Sequence, residues 1–371
     1  MLNVLMQHLL VLSLVLALPS PVHADVFEYT FQEVSPGVWV GVRDNSPQFP
    51  VMGTTTFVVG GEGVIVFDGG GVALMSERAL EKIRSVTSKP VTHIVISHWH
   101  GDHNLGIYRL LDAFPDAQVI GHTFTRAAML GAPMDYVLNY PESIPRLEKR
   151  YQAMLDSGVT GTGGPLAEGS RAYLQRFLDD ADLIHAEYDR VRVTPPTVTF
   201  RDRLVIHSGN RVIELRYLGH GNTEGDIVMW LPEERVVATG DLVVSPIPYG
   251  FNVPPRAWTE TLRGLKALNF TTLIPGHGDV QTDTRYVDLL IETAESIADQ
   301  RDALLAKGMS QEETEAALDF SPFAERFTGE DEYLANRFDV WFTGPFRKAA
   351  LKALTGEPMV SLEREQADEE K

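Results

Sequence analysis

The sequence predicts an α/β protein built as a four-layer αββα sandwich, with a helical insertion and C-terminal helices. Three observations carry this. The order β-hairpins, helix, strand, helix occurs twice; each occurrence runs an apolar strand into a histidine-bearing loop; and a stretch of helical periodicity separates the two. Two β-rich halves with helices outside bring both histidine loops to one shared edge, where a site is expected.

From Phe27 to Gly71, "YTFQEV", "VWVGV", "TTTFVVGG" and "VIVFDGG" read as strands in successive β-hairpins, punctuated by Ser35-Pro36-Gly37 and Glu62-Gly63. Ser76 is placed as the cap of a helix running to about Val86, with Leu80 and Ile83 on one face, and Lys89-Pro90 ends it. "THIVIS" is a nearly continuous apolar strand of the kind buried between layers, followed by a helix at "GIYRLLDAF" and a strand at "AQVIGH". Residues 126 to about 195 change character: "ESIPRLEKRYQAMLDSG" and "SRAYLQRFLDDADLIHAEYD" are helical by spacing, joined by the Gly-rich "VTGTGGPLAEG".

Strands resume at "TVTF" and at "RLVIHSGNRVIELRYLG", where Gly209-Asn210 marks a hairpin, and continue through "DIVMWLP" and "RVVATGD". A helix over Trp258–Leu268 leads to "TTLIPGHG", which repeats the strand-to-histidine-loop arrangement. A long helix over Thr282–Lys307, closed by Gly308, and another opened by a Ser310/Glu313 capping box follow. The charged tail from Glu357 is expected to lack fixed structure. The expected units are residues 25–300 for the sandwich, with the insertion at about 126–195, and 301–371 for a C-terminal helical extension.

Residues 1–24 read as an export signal. An apolar run from Leu9 to Leu18 is followed by Pro19, Pro21 and the small-x-small pattern Val22-His23-Ala24, although the segment before the run has no Lys or Arg. The run is shorter than the about 18 residues of a membrane span. A periplasmic or secreted protein with no membrane span after cleavage is the expectation. With 32 basic against 51 acidic residues, the net charge of −19 argues against nucleic acid as a partner. The chain has no cysteine, so disulfides and thiolate ligands are excluded. Any metal site must use His, Asp, Glu or Asn, which suits zinc, iron or manganese.

"SHWHGDH", residues 97–103, gathers three of the chain's 11 histidines with an aspartate. His98 and His100 can point the same way from a turn, while Gly101 lets the chain reverse so that Asp102 and His103 face a second point. Four such side chains do not suit one tetrahedral ion; they suit two metals. Three more loops follow predicted strands with the right residue types: "LGHGNTEGD", "ATGDLV" and "IPGHGD". Asp241, between two apolar strands, is a carboxylate that could bridge two ions, and the glycines around His277 leave it free to reach inwards.

These motifs resemble the metallo-β-lactamase superfamily of hydrolases from about residue 30 to about residue 300, apart from the insertion. The hexapeptide "HWHGDH" is that superfamily's signature, "VFDGG" with Asp68 resembles its first-half strand motif, and the Asp241 and "PGHG" loops recur in order. The resemblance implies one metal on His98, His100 and a third histidine, a second on Asp102, His103 and His277, and Asp241 between them. With no cysteine the chain is similar to the aspartate-bridged branch that includes thioesterases and lactonases, yet "NTEGDIVMWLPEERVVATGDLV" reads much like the cysteine-ligand β-lactamases. Where the family has its third histidine, this chain has Asn222 before Thr223, and the nearest histidine is His220. Either His220 reaches in, helped by Gly219 and Gly221, or Asn222 takes the place and the first site is weak.

The function so implied is an exported dinuclear zinc hydrolase, in which a metal-bound hydroxide attacks the carbonyl of a small-molecule amide or ester (β-lactam, lactone or thioester). Asp102 orients the nucleophile, Asp241 fixes the metal separation, and Asp68 is a candidate to hold a ligand histidine by its far nitrogen. The alternative is an iron-dependent oxidoreductase of the persulfide dioxygenase type. Tyr249, Phe251 and Asn252 are candidates to line the pocket, and the insertion to cover it as a lid. His93 and His207 are expected in packing or surface roles, His122 near the first loop and His185 on a helix face.

Overall fold

The computed structural model describes residues 25–43, 50–161 and 163–364; the expected export signal, residues 1–24, lies outside them. The chain opens with a meander of β1 (Thr30–Ser35), β2 (Val38–Val42), β3 (Thr55–Val59) and β4 (Val64–Phe67). It continues through α1 (Ala73–Val86), β5 (Val91–Val95), α2 (Tyr108–Ala113), β6 (Gln118–His122) and α3 (Thr123–Leu130). The insertion comprises a 3-10 segment (Ala132–Asn139), α4 (Tyr140–Ser157), α5 (Glu168–Asp179) and α6 (Ala181–Tyr188). β7 (Val198–Phe200) returns to pair with β6.

The second half runs β8 (Arg203–Ser208), β9 (Arg211–Tyr217), β10 (Ile227–Leu231), β11 (Val236–Ala238), α7 (Pro255–Ala267) and β12 (Thr272–Ile274). Then come α8 (Arg285–Ala306), α9 (Gln311–Ala317), α10 (Ser321–Thr328), α11 (Glu332–Arg337), a π-helical turn (Phe338–Thr343) and α12 (Gly344–Lys352). The strands form a seven-stranded sheet in the order β1-β2-β3-β4-β5-β6-β7 and a five-stranded sheet in the order β12-β11-β10-β9-β8.

The four-layer α/β architecture follows from strands that are apolar on both faces. Along β4, Ile65 and Phe67 face the space between the sheets, while Val64 and Val66 face a separate core with Leu80, Ile83 and Leu110 from α1 and α2. β10 divides the same way: Ile227, Met229 and Leu231 enter the inter-sheet core, and Val228 and Trp230 meet Leu262 of α7 and Ile297 of α8. Alternation with both faces buried requires helices on each outer surface. The Gly209-Asn210 hairpin forms as expected, with Ser208 opposite Arg211 and Gly209 at φ +63°.

Some boundaries differ from the sequence reading. α1 begins at Ala73, so Ser76 lies inside the helix, where its hydroxyl donates to the Gly69 carbonyl. The expected division at residue 300 falls inside α8, and the C-terminal aromatics share one core with α7 and α8. The segment expected to lack structure from Glu357 is instead placed as far as residue 364: Met359 is buried, its N–H donates to Glu224, and Arg364 pairs with Asp135. Among the described residues no helix is long and apolar enough to cross a membrane.

Candidate metal centre

Every candidate ligand except those of the β9–β10 connection stands just past the carboxyl end of a strand. β4 ends in Asp68, parallel β5 runs into Ser97–His103, β11 into the 3-10 turn Gly240–Leu242, and parallel β12 into Pro275–Gly278. The two sheets present these loops to each other, and the segment Gly53–Thr54 straps them. Gly53 N–H donates to the Asp102 carbonyl, Thr54 N–H to that of Gly276, and the Thr54 hydroxyl to that of Pro275. The approach is close enough that a Cβ at Gly53 would lie 2.3 Å from the His103 ring, and one at Gly276 would lie 2.2 Å from Asp241 Oδ1.

Four donor atoms form one compact cluster. His103 Nε2 stands 3.2 Å from His277 Nε2, 3.3 Å from Asp102 Oδ2 and 3.1 Å from Asp241 Oδ1. His277 Nε2 stands 3.1 Å from Asp102 Oδ2 and 3.3 Å from Asp241 Oδ1. In a regular tetrahedron the edge is about 1.63 times the centre-to-corner distance, so ligands about 2.0–2.1 Å from a zinc ion stand about 3.3–3.4 Å apart. Two imidazoles and two carboxylates at this spacing fit a single divalent ion.

A second cluster shares Asp241. His98 Nε2 lies 2.9 Å from His100 Nδ1 and 3.5 Å from Asp241 Oδ2. The fourth corner is the side-chain amide of Asn222, whose Nδ2 is 3.3 Å from His100 Nδ1 and donates to Asp241 Oδ2 at 3.2 Å. Asn222 Oδ1 is buried with no hydrogen-bond partner among the described residues, and the reversed amide would turn that oxygen to the same corner. Asp241 thus presents one oxygen to each cluster.

The rings are fixed from behind. Asp68 accepts from His103 Nδ1 at 3.0 Å and from Ser97 N–H at 2.8 Å, while Ser97 Oγ lies 2.9 Å from His98 Nδ1. These contacts leave both Nε2 atoms turned to the clusters. Burial acts to raise the Asp241 carboxyl, but His103, His277 and His98 outweigh it and hold it well below its ordinary range. Asp102 is held low in the same way by His103 and His277. Burial acts to lower His103 and His277, and Asp241 and Asp102 together raise both above the ordinary imidazole value. The centre therefore favours positive charge. His100 differs: burial and His98 push it down to about 3.

Six of the seven residues expected to bind metal, His98, His100, Asp102, His103, Asp241 and His277, lie in these two clusters. His220 does not. Gly219 at φ +134° carries the chain past the site, the His220 carbonyl accepts from Thr261, and burial pushes its imidazole down to about 4. Asn222 holds the position instead. Asp68 stands where expected, as does His185 on α6, paired with Glu148 of α4. His122 caps α3 by accepting from Phe124 N–H and stacks on Tyr217, with no contact to the metal centre.

Sequence reasoning missed three supports. Asn104, directly after the hexapeptide, donates to the carbonyls of His98 and His100. Tyr136 of the insertion accepts from Gly101 N–H at 2.9 Å. Asp226, pushed up to about 6 by burial, accepts from Thr223 N–H and so shapes the Asn222 turn. Only Asn104 carried a signal, its adjacency to the motif.

Above the clusters lies a cavity of ≈ 330 Å³. His100, Asp102 and Asp241 line it together with Tyr136, Tyr140 and Tyr188 of the insertion, and Tyr249, Phe251 and Trp341 opposite. Tyr249 and Phe251 were expected there; Asn252, at φ +56°, does not line it. A larger cavity of ≈ 890 Å³ adjoins the segment after His277 and is lined by none of the candidate ligands.

Comparison with known proteins agrees with this geometry. The family model described as the metallo-beta-lactamase superfamily matches residues 49–277, more than half of the chain. The linear primary-alkylsulfatase of a Pseudomonas species is 22% identical over 289 residues, covering 72% of this chain and 50% of that protein. The atrochrysone carboxyl ACP thioesterase of Claviceps purpurea is 31% identical over 85 residues, 23% of this chain and 27% of that protein. The solved structure of the stereoselective inverting sec-alkylsulfatase Pisa1 from Pseudomonas sp. superposes with a TM-score of 0.60 at 16% identity, over 89% of this chain and 51% of that one. This chain thus spans about half or less of the length of these relatives, and the structural likeness shows the fold.

Proposed function

The chain belongs to the metallo-β-lactamase superfamily, and from that premise we propose an exported, dinuclear zinc hydrolase that cleaves a small-molecule ester or amide at its carbonyl, with β-lactams, lactones and thioesters as the candidate chemistries. One observation carries the reading: a four-donor cluster at zinc spacing shares Asp241 with a second cluster at the floor of a small cavity. The leader-like residues 1–24 support a periplasmic or secreted location.

When bound, a divalent ion polarises a carbonyl oxygen and lowers the pKa of water to about 7. The residues supply the rest. Asp241, with an oxygen towards each cluster, fixes the separation of what the clusters hold. Asp102 has a side chain 23% exposed where those of His103, Asp241 and His277 are at most 1% exposed, so it is the carboxylate that reaches an attacking water. It orients that water against the carbonyl carbon. Water adds, the bond to oxygen, nitrogen or sulfur breaks, the leaving group takes the proton, and a carboxylic acid departs. Asp68 keeps the His103 ring in place throughout.

A sulfate ester is the second reading, favoured by the alkylsulfatase relative that spans most of this chain. Iron in the isolated protein, without hydrolysis, would return the oxidoreductase alternative. The test is to purify the mature protein with its native metal, quantify zinc and iron, and assay nitrocefin, an acyl-homoserine lactone, a glutathione thioester and dodecyl sulfate. Zinc with turnover of a carbonyl substrate is expected. Turnover of the sulfate alone, or iron content, overturns the proposal.

A further inference from the structure

We infer that the cavity selects an uncharged carbonyl compound carrying one flat apolar group, such as an aryl ester, over anionic substrates of the same shape. The inference rests on the carbonyl-hydrolase reading and names its substrate class. Two facing aromatic walls carry it.

On one side, Tyr140 packs edge-on against Tyr136 at 5.7 Å and Tyr188 at 4.6 Å. On the other, Tyr249 contacts Trp341 at 5.7 Å, Phe251 at 6.2 Å and the candidate ligand His277 at 5.4 Å. The second wall is fixed, because Gly250 N–H donates to the Trp341 carbonyl and a Cβ at Gly250 would lie 2.4 Å from the Phe342 carbonyl oxygen. The faces are set by packing, and ring-on-ring contact is what they offer a ligand.

The charge inventory of the cavity is equally specific. Among the described residues no arginine or lysine lines it, and the ionised ones that do are Asp102 and Asp241, both on the floor. An anionic substituent held between the walls, away from the floor, would lose its hydration and meet no cationic side chain among the described residues, only aromatic rings and the neutral hydroxyls of the tyrosines. A cationic substituent would be attracted by the ring faces, but opposed by the ions the floor is built to hold. A neutral ring pays neither cost. At ≈ 330 Å³ the space lies at the low end of the about 300–1,000 Å³ usual for small-molecule sites, which favours a single ring.

The test compares aryl acetates matched in shape and differing in charge, 4-nitrophenyl acetate with 4-acetoxybenzoate and 4-tert-butylphenyl acetate with 4-(trimethylammonio)phenyl acetate, each rate normalised to alkaline hydrolysis, with the zinc-loaded full chain. 4-Nitrophenyl acetate should exceed 4-acetoxybenzoate at least tenfold in kcat/KM. Phe251, 42% exposed at the rim, tolerates replacement, and Phe251→Arg should shrink that ratio at least fivefold. Calorimetric titration of 4-nitroacetophenone against 4-acetylbenzoate, neither of which can be hydrolysed, should show the same tenfold preference without turnover. Equal or better use of the anion, or preference for the ammonium ester, overturns the inference and leaves the hydrolase reading standing. If no carbonyl substrate is cleaved, the hydrolase reading fails and takes the inference with it.

Discussion

Asn222 puts an amide where the other corners of its cluster are two imidazoles and a carboxylate oxygen, and the two clusters are therefore unequal. An amide oxygen is a weak zinc ligand, whereas the Asp102–His103–Asp241–His277 set has four strong ones. After exhaustive dialysis, the wild-type chain should retain about one zinc and Asn222→His about two, by elemental analysis. Two equally tight ions in the wild type would refute the inequality. His220→Ala should leave metal content unchanged, because its ring lies outside both clusters; a lost ion would return it to the ligand set. Asp68→Asn should weaken the tighter site about 10- to 100-fold, measured against a zinc chelator of known affinity, since His103 Nδ1–H would lose its carboxylate. The choice between His220 and Asn222 was not legible in the sequence. It depends on the backbone path through Gly219 at φ +134°, a conformation a glycine permits without announcing. His98, His100, Asp102 and His103 were legible because six consecutive residues fix their own geometry.

The elements carry the site by where they stop. Asp241 and His277 could be singled out from sequence because each follows a short apolar strand that must run between layers, and a polar side chain just past such a strand lands on the rim. The strap at Gly53–Thr54 had no such mark, since its role is a set of contacts with Asp102, Pro275 and Gly276, all far from it along the chain. Thr54→Val removes a buried donor from the Pro275 carbonyl and should cost about 1–3 kcal/mol, read as a lower urea midpoint with unchanged slope. Gly276→Ala is the sharper case. Its Cβ would stand 2.2 Å from Asp241 Oδ1 and 2.5 Å from the Gly240 carbonyl carbon, so the β11 and β12 loops must part. Zinc retention should fall at least tenfold, in keeping with the usual cost of overpacking, about 1–3 kcal/mol. A variant that keeps its metal would show the loop approach to be looser than it stands here.

At the scale of the whole molecule, the sandwich was legible from periodicity, and what surrounds it was legible only as helices. Period-2 and period-3.6 patterns report which residues are buried, not which surface buries them. The insertion, expected as a cover, does supply one wall of the cavity, and its Gly-rich link is closed by a bridge between Val159 and Pro165. The C-terminal region, expected as an extension past residue 300, supplies Trp341 to the other wall and packs Phe320, Phe342 and Phe346 into the core of α7 and α8. Trp258 of α7 meets Phe346 at 6.0 Å, and Tyr333 of α11 meets Tyr173 of the insertion at 5.7 Å. Each buried phenylalanine is worth about 3–5 kcal/mol against alanine, so removing three exceeds the lower part of the 5–15 kcal/mol that typically separates folded from unfolded chains. Phe346→Ala alone should lower stability by about 3–5 kcal/mol in urea. A chain ending after residue 309 should fail to give a monomer with a cooperative melt in size-exclusion and circular dichroism measurements, because the outer faces of α7 and α8 would be bare. A truncated monomer melting like the full chain would mean that the helices after residue 309 are an attachment to the sandwich and not part of its core.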